Sequence, residues 1–444
     1  MSPNCTLPPV FVMNVYYTGI GIARNLHGRG IKIYGLSSEK NAPGIRSRFF
    51  DGIYYVPNGR DEPEALYQRL LEIRRFHEQA PLIFPTRDFD VLFLHQYRDQ
   101  LASSYCLPPA KGQAVSYLLD KFEIADVAER QCIHVPKTVT CASPQDLEKY
   151  GDLLTFPLVV KPRYAYQWRR KGSWEAVGER KAILVDSASQ LLNEYHRIAP
   201  VTEEFLLQEY VPGADNNLVS CCCYIDRGGE LLGYFTTKKL CQDPPLFGTG
   251  CIVELINIPE IVAPSVQLLR ACGYVGIAEI EFKYNEAMNQ FFLIEANPRH
   301  WDQHELGKLA KMNLTWIAYQ DLIGQRPEPQ MPIYKTSTKF KWIAEREVFF
   351  SLARNMYSEA VAPRKTEKKI EKMVKAGAVV KKTLAELVCL LRGRKIFAIL
   401  QLRDPIPGLL MSFRLVREAI QAFPVRRRTV HTAGKIDEFT PSQL

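Results

Sequence analysis

The chain has 444 residues, 46% hydrophobic and 24% charged, a balance that excludes a disordered or fibrous protein and leaves room for two or three globular domains. Its formal charge is +9, yet residues 361–444 hold 18 basic and 7 acidic side chains, a net of +11, so the first 360 residues carry −2. The surplus belongs to the C-terminal region, and no apolar run is long enough to span a bilayer, because the best candidate, Thr383 to Leu402, is broken by Arg392, Arg394 and Lys395.

The N-terminus lacks a charged segment followed by an apolar stretch and a small-residue cleavage site, which argues against secretion by that route. The 11 cysteines are odd in number and none forms a C-x-x-C pair. Cys221, Cys222 and Cys223 would alternate between the faces of a strand, which suits buried thiols in a reducing, cytoplasmic compartment.

In chain order, Val10 to Leu36 reads as strand, glycine turn, helix, strand, with Gly19 and Gly21 where the first strand passes into the helix. A dinucleotide site would need a third glycine and an acid closing the second strand, where Leu36-Ser37-Ser38 stands instead. A Rossmann-like support domain over residues 1–110 is the expectation, continued by a helix around Glu64 to Gln79 and a strand at Pro81 to Pro85.

From Lys111 the alternation loosens. Strands are predicted at Phe156–Lys161, Phe205–Tyr210, Leu218–Ile225, Leu231–Phe235, Ala278–Lys283 and Phe291–Glu295. The connections at Asp226–Gly229 and Tyr284–Asn289 are too short for a crossover, so residues 111–325 are predicted to be α+β with antiparallel neighbours. Pro327, Pro329 and Pro332 mark a linker, and residues 326–444 read as a basic, mainly helical region with a break at Asp404–Gly408.

The most informative segments are Gly276–Phe282 and Phe292–Arg299. In two paired strands Glu281 and Glu295 can stand side by side, and Asn297 shares their face. Two carboxylates and an amide oxygen make a hard, all-oxygen set suited to Mg2+ with nucleotide phosphates completing the octahedron, and Arg299 can meet phosphate oxygens. Glu279 lies on the same face as Glu281, and alternation does not choose between them. Lys161 ends the apolar run Pro157–Val160, where an ammonium can neutralise phosphate charge, while Leu207–Asp215 is a strand entering a proline-glycine turn and then an acid.

In order and spacing these residues resemble the ATP-grasp superfamily over roughly residues 10–325, and look most like its carboxylate-amine ligases, the D-aspartate ligase-like group among them. The resemblance implies a Rossmann-like domain followed by two α+β subdomains that clamp ATP. It implies that Lys121, beside Asp120, lies near phosphate or adenine, that Lys161 contacts the α and β phosphates, that Gln208, Glu209 and Val211 form the hinge that reads adenine, and that Asp215 binds ribose. It implies Glu281, Glu295 and Asn297 as the metal ligands, thereby choosing Glu281 over Glu279. Lys239 falls in a stretch, Thr237–Gly250, that resembles a phosphate and substrate loop, and with Arg299 it is the implied catalytic group. One segment departs from the family: Tyr164–Trp174, carrying Arg169, Arg170 and Lys171, replaces a flap rich in glycine and serine, and its cations can clamp an anionic substrate.

The implied reaction uses ATP and Mg2+, with Mn2+ as an alternative ion, to activate a small or polymer-linked carboxylate as an acyl phosphate, which an amine attacks with release of ADP and phosphate. Competing readings are a nucleotide-binding regulatory or scaffold protein with the same clamp, and carboxylation or phosphorylation chemistry. His300 and His304 are read as structural. No nucleic-acid partner is expected, because no recognition module accompanies the basic charge. The C-terminal helices are read as a buttress for the clamp; the alternative is that Pro407–Phe423, where Leu409, Leu410, Phe413, Leu415, Val416 and Ile420 alternate with Arg414 and Arg417, makes peripheral contact with an anionic membrane.

Overall fold

The computed structural model describes residues 7–109, 112–151, 153–169, 172–202, 204–335, 338–361 and 392–422, together with 384, 388 and 390. Four parallel strands open the chain: β1 (Val10–Met13), β2 (Ile33–Ser37), β3 (Gly52–Tyr55) and β4 (Leu82–Phe84), in the order β3-β2-β1-β4. All of β1 is buried, as a parallel strand covered on both faces requires: Val10 and Val12 enter one apolar core, Phe11 and Met13 another. The chain runs outward from β1 to β3, then returns to the other side of β1. The loops after β1 and β4 therefore flank the point where strand order reverses, which is where such sheets form a crevice.

The helix Tyr17–Leu26 leaves β1 so tightly that a Cβ on Gly19 would stand 1.9 Å from the Asn14 carbonyl oxygen, and one on Gly21 2.7 Å from a ring carbon of His304. Both glycines serve close packing, in keeping with a support domain.

The second sheet is antiparallel, with β5 (Thr138–Cys141), β6 (Leu158–Lys161), β7 (Ile183–Val185) and β8 (Phe205–Glu209) in the order β5-β8-β6-β7. The third has seven strands: β9 (Leu218–Ile225), β10 (Leu231–Asp243), β11 (Thr249–Leu255), β12 (Gly276–Asn285), β13 (Gln290–Asn297), β14 (Phe340–Ile343) and β15 (Arg394–Phe397), ordered β13-β12-β9-β10-β11-β14-β15. The two short connections produce antiparallel hairpins, as predicted. Cys221 and Cys223 enter one core and Cys222 the other, and the nine described cysteines are free thiols.

Two expectations need correction. Thr237–Gly250 is not a loop: β10 runs 13 residues, turns at Pro244–Gly248 and returns as β11, so Lys239 is a strand residue. The mainly helical reading of residues 326–444 misses two strands, β14 and β15, which extend the edge of the largest sheet beside the helices Glu345–Val361 and Pro405–Ala422. At four residues each, both strands are too short to show a period-2 pattern. Among the described residues no helix is long and apolar enough to cross a membrane.

Candidate functional site

All three sheets contribute walls to one cavity of about 340 Å³. The crevice of the first sheet supplies Asn14, Thr18, Thr86, Arg87 and Asp88. Strand alternation supplies the rest. On β6, Leu158 and Val160 point into an apolar core and Val159 and Lys161 toward the cavity; on β12, Ala278, Ile280 and Phe282 are core while Glu279, Glu281 and Lys283 line the opening.

The paired carboxylates are where the sequence places them. Glu281 is directly opposite Glu295 across the β12-β13 ladder, and Glu279 is opposite Asn297. A bulge follows: Phe282 pairs with Leu293, so Ile294 is the extra residue and the end of β13 is re-aimed at the cavity. Asn297 donates to Glu279 at 3.2 Å, and Gln303 reaches the other oxygen of Glu279 at 3.4 Å. The structure thus brings both candidate glutamates to the face.

Each acid is set by its neighbours. Burial raises the Glu279 carboxyl, and the Glu281 charge adds to this, against Lys239 and Arg299; the group rises to about 7. Burial pushes Glu295 the same way, but Lys121, 2.8 Å away, with Lys181 and Lys161 behind it, holds that carboxyl well below the usual range. Glu281 is paired with Lys239, whose ammonium is raised: burial opposes its charge, and Glu281 and Glu279 more than restore it.

Lys161 donates to Gln208 Oε1 at 2.8 Å, and Gln208 in turn donates to Thr138 at 2.8 Å, which orients the Gln208 amide oxygen toward the lysine. Burial, reinforced by the Lys121 charge, lowers the Lys161 ammonium to about 7. Arg299 is held by Asp88 at 2.6 Å and donates to Asn297 Oδ1 at 2.9 Å. Glu209 and Val211 line the cavity, although the Glu209 N–H is already engaged by the Lys137 carbonyl at 2.9 Å. Asp215 does not reach the wall; it stands behind Gln242, which donates to it from Nε2 at 3.0 Å. Arg169 lines the cavity from the segment that replaces the flap, while Arg170 and Lys171 lie outside the described residues.

Neither His300 nor His304 lines the cavity. They are buried against Thr315 (3.1 Å) and the Trp301 carbonyl (2.6 Å), and burial drives His300 well below its ordinary range and His304 down to about 4.

Sequence reasoning missed Asp88, which folds in from the first sheet, and Lys181, which donates to Thr249 at 2.6 Å and is lowered to about 8 by burial and by the Arg169 and Lys239 charges. It also missed Asp302, which accepts from Thr18 at 2.6 Å on the cavity wall. Alternation signals strand residues; none of these three sits on the strands that carried the motifs.

Among the described residues, no three His, Cys, Asp or Glu side chains converge as a ready-made metal cage. Mg2+ is usually held by one or two carboxylates, with substrate phosphates and water supplying the rest. Glu281, Glu295 and Asn297 offer a donor set of that kind.

No protein-family model matches the chain. The D-aspartate ligase of Enterococcus faecium (strain Aus0004) is 21% identical over 379 residues, covering 82% of this chain and 86% of that one. Among solved structures, N5-carboxyaminoimidazole synthetase from Staphylococcus aureus superposes with a TM-score of 0.57 at 14% identity, over 75% of this chain and 82% of that one. An L-amino acid ligase from Bacillus licheniformis gives 0.55 at 16% identity, over 72% and 75%. At such identities the structural likenesses speak for the fold.

Proposed function

We propose that the chain is an ATP-grasp carboxylate-amine ligase, activating a carboxylate with ATP and joining it to an amine with release of ADP and phosphate. The observation that carries this reading is the paired register of Glu281 with Glu295 and Glu279 with Asn297, faced by Lys121, Lys161, Lys181, Lys239 and Arg299 around one cavity. An acyl phosphate forms only if a carboxylate and a triphosphate, which repel, are brought together, so the site must concentrate positive charge where the phosphoryl group moves.

Lys161 and Lys121 neutralise the phosphates nearest the hinge. Lys239 and Arg299 meet charge developing at the transferred group, and Lys239 can pass from Glu281 to a phosphate oxygen. Glu281, Glu295 and Asn297 would hold Mg2+, which would neutralise phosphate charge there. Gln208, Glu209 and Val211 border the base. Asp215, set behind Gln242, acts on ribose through that side chain.

Asp302 and Thr18 lie on the wall shared with the first sheet, which leaves them to the second substrate; a carboxylate there suits an incoming amine in its ammonium form. Relatives named for D-aspartate and L-amino acids support small carboxylate and amine substrates. The domain division at residues 110 and 325 follows the same reading, as does a cytoplasmic site of action.

The test is ADP release by purified protein with Mg2+ and pooled acids and amines, with mass spectrometry of the product. Glu295→Ala with Asn297→Ala is expected to abolish turnover. Unchanged turnover in that double variant, or an absence of ATP binding in the wild type, refutes the reading.

A further inference from the structure

The helix Pro405–Ala422 is apolar on two faces. One is packed: Pro407, Gly408 and Met411 are buried, Asp404 just before the helix accepts from Ser47 Oγ (2.5 Å) and the Arg48 N–H (3.1 Å), and Glu418 pairs with Arg346 (3.0 Å). These anchors fix the rotation of the helix against the Ser47–Arg48 segment and the helix Glu345–Val361. The other face meets solvent. Ile406, Leu409, Phe413 and Val416, spaced by three and four residues, form one stripe and are 51, 58, 74 and 60% exposed, and Leu402 just upstream is fully exposed. A contiguous apolar stripe on a water-facing helix marks a surface that another body covers.

The surrounding charge selects that body. Arg403, Arg414 and Arg417 are exposed around the stripe. The single acid of the helix, Glu418, is half-buried and already paired with Arg346 and Arg414. The sequence continues into Arg426, Arg427 and Arg428, within a region of net +11. A second copy of this chain would set these cations against their like, whereas an anionic bilayer accepts apolar stripe and cations together.

We propose that the exposed face of this helix docks on an anionic lipid surface, lying in the plane of the interface. Arg414 also donates to Tyr16 at 3.3 Å, two residues from Thr18 on the cavity wall, so the docked face adjoins the segment that lines the site. The inference stands independently of the ligase reading, since its readout is binding.

Flotation of the full-length protein with phosphatidylcholine vesicles, with and without phosphatidylserine, tests it. About tenfold more protein is expected on the anionic vesicles, declining as salt rises. Leu409→Ser with Phe413→Ser is expected to abolish the binding and Arg417→Glu to weaken it, both with wild-type melting temperature and nucleotide affinity. Absent binding, equal binding to neutral and anionic vesicles, or binding unchanged in both variants overturns the proposal. So does a concentration-dependent dimer that Leu409→Ser with Phe413→Ser dissociates while vesicles stay unbound.

Discussion

Replacing Lys161 by methionine keeps most of the side chain's length and removes its titrating charge, which makes the proton balance of nucleotide binding measurable. With its ammonium at about 7, Lys161 is only about one-tenth charged at pH 8 in the free protein. A triphosphate beside it favours the charged form, so binding draws in about 0.9 proton there. Lys181, at about 8, is about half charged at the same pH and adds about 0.5. Glu279, at about 7, is already about nine-tenths ionised and gives back at most about 0.1. ATP binding at pH 8 is therefore expected to take up roughly 1.3 protons, falling to roughly 0.1 from the lysines at pH 6, where both are already charged. Isothermal titration calorimetry in buffers of different ionisation enthalpy reads this number directly. Lys161→Met should remove about 0.9 of the uptake at pH 8 and weaken binding about 10- to 100-fold, the worth of one charge-assisted contact. Equal uptake in wild type and variant, or net proton release at pH 8, would refute the account of how burial and Lys121 set this lysine.

Glu279→Gln tests the opposite sign. Its carboxyl is raised, so its stabilising contribution is complete below its unfolded value and is lost as pH climbs through about 7; the variant should gain about 3 kcal/mol at pH 8 and almost nothing near pH 4, by urea denaturation at both pH values. Asp88→Ala leaves Arg299 buried with only Asn297 and the His300 carbonyl as partners, and should lower kcat/KM about 10- to 100-fold, with Asp88→Glu restoring part of it. Gly21→Ala places a methyl 2.7 Å from the His304 ring and should cost about 1–3 kcal/mol in thermal denaturation, with ATP affinity retained in the folded fraction.

What the sequence showed of the site is what periodicity can show. Glu281, Glu295 and Asn297 follow from two adjacent strands joined by a short turn, because register and alternation are local. Lys161 is legible for the same reason. Glu279 was undecided, and the structure explains why: it belongs to the same face and binds Asn297. Asp88 and Lys181 reach the cavity through tertiary packing, 211 residues separating Asp88 from its partner Arg299, and no window of sequence carries such a pair. The fold was similarly divided. Strands inside clear apolar runs are predicted, β1, β4 and β6 among them at three or four residues, whereas the equally short β3, β5, β7, β14 and β15 are not, and β11 lies in a segment that resembles a loop.

Arg24 gives the C-terminal strand a different significance from that of an attachment. Buried at the end of the first helix, its guanidinium donates to Glu305 (3.1 Å) and to three successive carbonyls, those of Phe397, Ala398 and Ile399, at 3.1, 3.1 and 2.7 Å. One side chain of the first helix thus closes onto the segment that ends β15, the last strand among the described residues, and onto the turn that follows β13. A chain shortened before Arg394 would lose β15, bare the β14 edge and leave Arg24 a buried cation with one partner of four. Trimming the basic region to improve solubility should therefore fail when the cut falls before Ile399, because it removes the carbonyls on which this buried arginine closes.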